Sequence, residues 1–115
     1  MNAQETNTVI SGADGYALVE KVNHDNFKLM LDFYHIGKAN ENLAIVKAAE
    51  DKLVHCHIAT VPDRKFPIKE RLENYAPFFS ALREIGYVGG ISVEADFAGE
   101  RPDGVWHLHN MFINT

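Results

Sequence analysis

Three apolar runs of the chain each end in side chains that bind metal ions or move protons. "LMLDFYHI" carries Asp32 and His35, "LVHCHIAT" carries His55 and His57, and "GISVEADF" carries Glu94. Carboxylates and imidazoles together suit a divalent cation such as Mn²⁺, Mg²⁺, Co²⁺ or Zn²⁺. The sequence therefore predicts a metal site, provided that the fold brings the three run ends together.

The "HCH" spacing predicts which way the side chains of the middle run point. Side chains alternate between the two faces of a strand, so His55 and His57 should point the same way and Cys56 the opposite way. Taken alone, a His or Asp near a strand end is more often a hydrogen-bonded core residue than a ligand. The metal interpretation depends on the coincidence of such groups at the ends of successive runs.

The elements that would position these residues alternate along the chain. Ser11 or Asp14 could cap the first helix, Asn74 the third, and Gly86 is placed to end the third. The predicted order is a helix in 11–22, a buried strand in 27–36, a helix in 40–52 and a buried strand in 53–60. A long loop over 61–73, which could contain a helical turn, then leads to a helix in 74–87, a strand in 88–97 and a short helix in 104–113. This alternation predicts an α/β fold with a parallel sheet, in which ligands bind at the carboxyl ends of the strands.

Composition narrows the function classes. The 115 residues are expected to form one domain, and the net charge of −5 without a basic cluster disfavours a nucleic-acid partner. A single cysteine, Cys56, excludes an intrachain disulfide and suits a reducing compartment. No apolar run approaches the ~20 residues of a membrane span, so the expected location is the cytoplasm, with no membrane partner.

As a set, the segments "LMLDFYH", "VHCHIA", "DR" and "YAPFFSALREIGYVGGISVEADF" resemble the sugar phosphate isomerase/epimerase superfamily, whose fold is the xylose isomerase-like TIM barrel. Ketose 3-epimerases, hydroxypyruvate isomerase and inosose dehydratase belong to it, as does the more distant endonuclease IV. The resemblance implies that residues 1–115 are the C-terminal half of a (β/α)₈ barrel.

The resemblance also assigns roles to single residues. Asp32, His57 and Glu94 are similar to the metal ligands of the family, with Mn²⁺ as the first expectation for the ion. Glu94 also resembles the glutamate that exchanges a proton with the substrate. His55 is expected to support the ligands without binding the ion itself.

Three further residues resemble substrate contacts of the family. His35 matches the histidine of a "DxxH" motif, Arg64 matches a loop arginine, and Glu5 matches the end of an "ExLNxxET" stretch. The implied reaction is a metal-dependent isomerisation or epimerisation of a small sugar or hydroxy-carbonyl compound, by proton transfer through an enediolate.

The chain also departs from the family pattern. A further metal-binding glutamate and the first four strands would lie before Met1, so turnover by this chain alone is in question. A half-barrel leaves sheet edges open, which predicts a homo-oligomer or pairing with another half-barrel. The alternatives are a non-catalytic half-barrel that self-associates, and a nuclease resembling family-2 AP endonucleases, which the acidic charge disfavours.

Overall fold

A parallel sheet of three strands organises the chain. The computed structural model describes residues 7–96 together with 106, 109–110 and 113–114; side chains 69, 70 and 72 are left out of the description. The strands are β1 (Leu29–Asp32), β2 (Leu53–Ile58) and β3 (Gly90–Val93), in the order β1-β2-β3. The helices are α1 (Gly12–Val22), α2 (Phe33–Lys38), α3 (Ala44–Ala49) and α4 (Ala76–Glu84), with 3-10 helices at Glu50–Lys52 and Lys69–Tyr75. The predicted α/β class with parallel strands is confirmed.

The strand register aligns the polar residues. Asp32 of β1 pairs with His57 of β2, and His57 pairs with Ser92 of β3. Glu94 follows β3 directly, and its backbone N–H donates to the Ile58 carbonyl at 3.1 Å. Because parallel strands end at the same edge, this register places the three predicted metal ligands beside one another.

One face of the sheet forms the hydrophobic core. Cys56 and Ile58 of β2 pack with Phe78 and Leu82 of α4 and with Val46 of α3, all fully buried. Burial of each large apolar side chain contributes about 1.5–3 kcal/mol. The opposite face of β2 carries His55 and His57, so the predicted alternation around Cys56 is confirmed.

Two predicted helix ends are confirmed. The Ser11 hydroxyl accepts a hydrogen bond from the Asp14 N–H at 3.0 Å and caps α1. After α4, Gly86 takes a φ of +66°, and its N–H donates to the Arg83 carbonyl at 3.0 Å. A left-handed residue of this kind commonly ends a helix, and glycine adopts it without steric cost.

Two predicted details are wrong. The run 27–36 is a strand only as far as Asp32, because the Asp32 side chain accepts the Tyr34 N–H and starts α2 there. Asn74 does not cap α4; it lies inside the 3-10 helix that runs directly into α4, whose N-cap, Tyr75, makes no side-chain cap hydrogen bond. The predicted helix at 104–113 lies mostly outside the described residues.

Among the described residues, every helix is too short or too polar to cross a membrane.

Candidate metal and substrate site

Asp32 is the buried member of the site. It is the last residue of β1, and only 6% of its surface is exposed. Its Oδ1 accepts the Tyr34 backbone N–H at 2.8 Å, which fixes the carboxyl group at the start of α2. Burial raises the pKa of Asp32, and this shift is opposed by the nearby His35 imidazole and by the Tyr34 N–H.

His57 lies between the two carboxylates. Its Nδ1 is 3.8 Å from Asp32 Oδ2 and 3.1 Å from Glu94 Oε2. The neighbouring ring of His55 meets His57 edge-on at 5.3 Å, and its Nε2 is 2.9 Å from the Ser92 hydroxyl. His55 therefore packs against a predicted ligand, while its own polar contact is to Ser92.

Glu94 is the open member of the site. Its side chain is 52% exposed, and its Oε2 accepts a hydrogen bond from Arg64 Nη2 at 3.1 Å. Partial burial would raise the pKa of Glu94, but the His57 ring and the Arg64 guanidinium outweigh it, so the pKa lies below its ordinary value. Glu94 is therefore ionised near neutral pH.

The donor atoms of these three residues fit a divalent cation. One ligand atom each from Asp32, His57 and Glu94 lie within 4.8 Å of one another. An ion bound at about 2.0–2.3 Å to each atom would hold them no more than about 4.6 Å apart, so only a slight inward movement is needed. Two carboxylates and one imidazole match the preferences of Mn²⁺, Mg²⁺ or Zn²⁺.

The loop after β2 places Arg64 at the site. The Arg64 N–H donates to the Thr60 carbonyl at 2.8 Å, and the Thr60 N–H donates to the Lys65 carbonyl at 2.9 Å. Arg64 takes a φ of 53° in this turn. Its guanidinium lies over the ring of Tyr34, 4.9 Å from the ring centre, while it donates to Glu94.

His35 lies on α2 and not on a strand as predicted, because α2 begins directly after Asp32. It is buried, and its Nε2 is 3.8 Å from Asp32 Oδ2. The structure therefore brings His35 to the predicted ligands, one helical turn beyond Asp32. Its role as a substrate contact stays a prediction.

A cavity of about 380 Å³ connects these residues. Five of the seven predicted site residues belong to its polar lining: Asp32, His35, His57, Arg64 and Glu94. Its apolar wall includes Val9, Leu31 and Ile36, and His55 is not part of the lining. Pockets for small molecules commonly have volumes of about 300–1,000 Å³. Glu5, the remaining predicted substrate contact, lies outside the described residues.

Two other residues of the site carry no local sequence signal: Glu41, which lines the cavity, and Tyr34, which contacts Arg64. Glu41 closes one wall, where its carboxylate oxygens accept the N–H groups of Gly12 at 2.8 Å and Ala13 at 2.9 Å. The Tyr34 ring contacts the Arg64 guanidinium. Both contacts join residues about thirty positions apart (29 for Glu41 and Gly12), so local pattern analysis could not find them.

A parallel α/β sheet with carboxylates and imidazoles at the carboxyl ends of its strands is the arrangement of TIM-barrel active sites. The family model for the xylose isomerase-like TIM barrel matches residues 1–111. The chain therefore belongs to this family, and the resemblance inferred from the sequence is confirmed.

Similar proteins include an isomerase, an epimerase and an AP endonuclease. The chain is 37% identical over 93 residues to 2-oxo-tetronate isomerase of Haemophilus influenzae, covering 80% of this chain and 36% of that protein. A crystal structure of D-psicose 3-epimerase in the presence of D-fructose matches with a TM-score of 0.74 at 27% identity, covering 92% of this chain and 37% of the other. An AP endonuclease, family 2, from Brucella melitensis matches with a TM-score of 0.70 at 29% identity, covering 86% and 38%.

The chain spans about a third of the length of these relatives. The shares are 36% for the isomerase and 37–38% for the two solved structures. The described residues supply three strands, whereas a complete TIM barrel has eight. The chain thus corresponds to part of an α/β barrel.

Proposed function

We propose that this chain carries part of the active site of a divalent-metal-dependent isomerase or epimerase of a small sugar or related hydroxy-carbonyl compound. The observation that carries the proposal is the convergence of Asp32, His57 and Glu94 at the ends of three neighbouring strands, with their ligand atoms within 4.8 Å. Relatives named as an isomerase and as an epimerase support the reaction class.

Asp32, His57 and Glu94 would hold the ion, and Mn²⁺ is the proposed metal. When bound, the ion would supply positive charge that stabilises the negative charge developing on the substrate as a proton leaves the carbon beside its carbonyl group. His57 would present its Nδ1 lone pair to the ion, which requires the neutral imidazole. His55 would hold the neighbouring ring in place through its contact with Ser92.

Glu94 is the proposed proton-exchanging group. Its carboxylate is open to the cavity and ionised near neutral pH, as a base next to a carbonyl group must be. Arg64 and His35 line the same cavity and would bind substrate oxygens, together with Glu5. Carbohydrate metabolism in the cytoplasm is the setting that this proposal implies.

We infer that the active form needs further strands. Met30, on the same face as Asp32, is 46% exposed, and both β1 and β3 are sheet edges among the described residues. Two copies of the described part would supply six strands and not eight, so a symmetric pair does not rebuild a complete barrel. Further strands, in the same polypeptide or in a partner, therefore fit better than simple homodimerisation.

Two other functions remain as competitors. A non-catalytic partial barrel would keep the fold and lose the ion. A nuclease would follow the likeness to the AP endonuclease, but a net charge of −5 opposes binding to a phosphate backbone. We therefore propose no nucleic-acid partner.

Native mass spectrometry of the chain with and without Mn²⁺ tests the metal proposal. The expected result is one ion per chain and a marked loss of the ion in Glu94→Gln. Glu84→Gln is the matched control, because Glu84 is exposed and pairs with Lys47 far from the site. Equal Mn²⁺ occupancy in both variants would contradict the assignment of Glu94.

Deuterium exchange tests the reaction class. The chain, alone and with polypeptides that supply the remaining strands, is incubated with ketoses and Mn²⁺ in D₂O. Deuterium at the carbon beside the carbonyl, absent with Glu94→Gln, is the expected result. If no combination exchanges the proton while Mn²⁺ is bound, the non-catalytic alternative is favoured.

A further inference from the structure

Tyr34 lies between the buried and the open ends of the candidate site. Only 9% of its surface is exposed. Its backbone N–H donates to Asp32 Oδ1 at 2.8 Å, and its ring meets the His35 ring edge-on at 5.1 Å. The Arg64 guanidinium lies over the Tyr34 ring, 4.9 Å from the ring centre. One residue thus contacts a predicted metal ligand and both predicted substrate contacts that the structure describes.

The Arg64 backbone is fixed independently of Tyr34. Its N–H donates to the Thr60 carbonyl, and its carbonyl accepts the Asp96 N–H, both at 2.8 Å. The side chain is 28% exposed and long enough to adopt many rotamers. Contacts with the Tyr34 ring and the Glu94 carboxylate are among those that direct the guanidinium.

The contact with Glu94 can be lost to a competing partner, whereas the contact with the Tyr34 ring cannot be lost in this way. The Glu94 oxygen that accepts from Arg64 also faces His57, where a metal ion or a substrate proton would compete for it. The Tyr34 ring is uncharged and is held by its place in α2. Attraction between a guanidinium and an aromatic face does not require a carboxylate, so it persists when Glu94 engages another partner.

We propose that the Tyr34 ring is the platform that keeps the Arg64 guanidinium over the cavity when Glu94 releases it. Arg64 can then pass from Glu94 to an oxygen of the hydroxy-carbonyl substrate without leaving the site. Tyr34 is in this sense a positioning residue for Arg64. The identity of the ligand rests on the proposed function, whereas the platform contact is a property of the chain itself.

Arginine-specific labelling of the chain tests the platform directly. The chain is treated with phenylglyoxal without metal or substrate, and the rate at Arg64 is measured by peptide mass spectrometry relative to Arg83. In Tyr34→Leu the Arg64 rate should rise roughly two- to fivefold, the scale of an exposed cation–π contact. Tyr34→Phe retains the ring and should label at the wild-type rate. Repeating the series at about 1 M salt screens the Glu94 ion pair, so the ring effect should persist or grow.

Two results would overturn the platform. One is an Arg64 rate in folded Tyr34→Leu equal to that of the wild type, and the other is equal acceleration in Tyr34→Phe and Tyr34→Leu. If Tyr34→Leu does not fold, NMR of the wild-type chain decides instead. The Arg64 Nε proton should be shifted upfield by the ring, and an ordinary shift would contradict the contact.

The outcomes separate the platform from the proposed function. A ring-dependent Arg64 rate in a chain that binds no Mn²⁺ would keep the platform and reject the isomerase site. Mn²⁺ binding by a chain whose Arg64 labelling rate does not depend on the Tyr34 ring would keep the proposed metal site and reject the platform.

Discussion

The two carboxylates of the candidate site are held in opposite ways. Asp32 is 6% exposed, and a backbone N–H fixes one of its oxygens at 2.8 Å. The Glu94 side chain is 52% exposed, and the described hydrogen bonds of its carboxylate are to the side chains of His57 and Arg64. Their pKa values also move apart, because burial raises the pKa of Asp32 whereas His57 and Arg64 outweigh burial and lower that of Glu94.

This difference separates a fixed ligand from a movable group. A backbone donor cannot leave Asp32 without unwinding the start of α2, whereas Arg64 can release Glu94 by rotating its side chain. A proton-exchanging group must approach and leave the substrate, so the open carboxylate suits this role. The buried carboxylate suits the role of a permanent ligand.

Metal affinity should show the largest effect of this difference. Asp32→Asn removes the preorganised carboxylate, so we expect its affinity for Mn²⁺ to fall by more than the roughly 100-fold upper value for loss of a residue that only supports a ligand. Glu94→Gln should cost less, because an exposed carboxylate is more easily replaced by water. Isothermal titration calorimetry measures both, with Glu84→Gln as the control. A larger loss for Glu94→Gln than for Asp32→Asn would reverse the comparison.

Glu41 forms part of the wall of the cavity and also holds the start of α1. Replacement of this carboxylate by alanine leaves the N–H groups of Gly12 and Ala13 without their described partner, at a cost of about 1–3 kcal/mol in the free energy of unfolding. Glu41→Gln retains one acceptor and should lose about half as much. Urea unfolding measures both variants. Ser11→Ala, which removes a conventional cap of the same helix, provides a reference of about 1 kcal/mol.

Without metal, Asp32→Asn should stabilise the chain, on the order of 1 kcal/mol at neutral pH. Asparagine keeps the acceptor for the Tyr34 N–H and removes a charge that burial disfavours. Because the pKa of Asp32 is raised in the folded chain, wild-type stability falls as the pH rises through that value. The advantage of the variant should therefore vanish in acid below the pKa of the unfolded carboxyl group. Unfolding at several pH values checks this, and destabilisation at neutral pH would contradict it.

Glu94→Gln should have the smallest effect on the metal-free chain, below about 0.5 kcal/mol, because solvent screens an exposed ion pair. The pKa of Glu94 is lowered in the folded chain, so its contribution is present above the unfolded pKa. This contribution is lost as the pH falls through the folded pKa, opposite in sign to that of Asp32. The same pH series measures it, and a difference from wild type that grows in acid would be inconsistent with the Arg64 and His57 contacts.

Local patterns predicted much of the scaffold correctly. The Ser11 cap, the left-handed Gly86 and the alternation around Cys56 are confirmed because each depends on neighbours within a few residues. The start of α2 was missed because residues 34–36 are buried like those of β1, and a short apolar run does not distinguish a buried strand from a buried helix. The prediction of Asn74 as a helix cap is wrong because the 3-10 helix Lys69–Tyr75 already includes Asn74 and runs directly into α4, a continuation that residue type alone does not show.

The sequence by itself determined the alternation of helices and strands, the face of β2 that packs in the hydrophobic core, and the types of side chain available to bind a metal. Their periodicity and chemistry are properties of local segments. Only the tertiary structure decided that Asp32 is buried while Glu94 is open, that Glu41 closes the wall of the cavity, and that Arg64 lies on Tyr34. Burial and contacts between distant residues depend on how whole elements pack, and no single stretch of the chain contains that information.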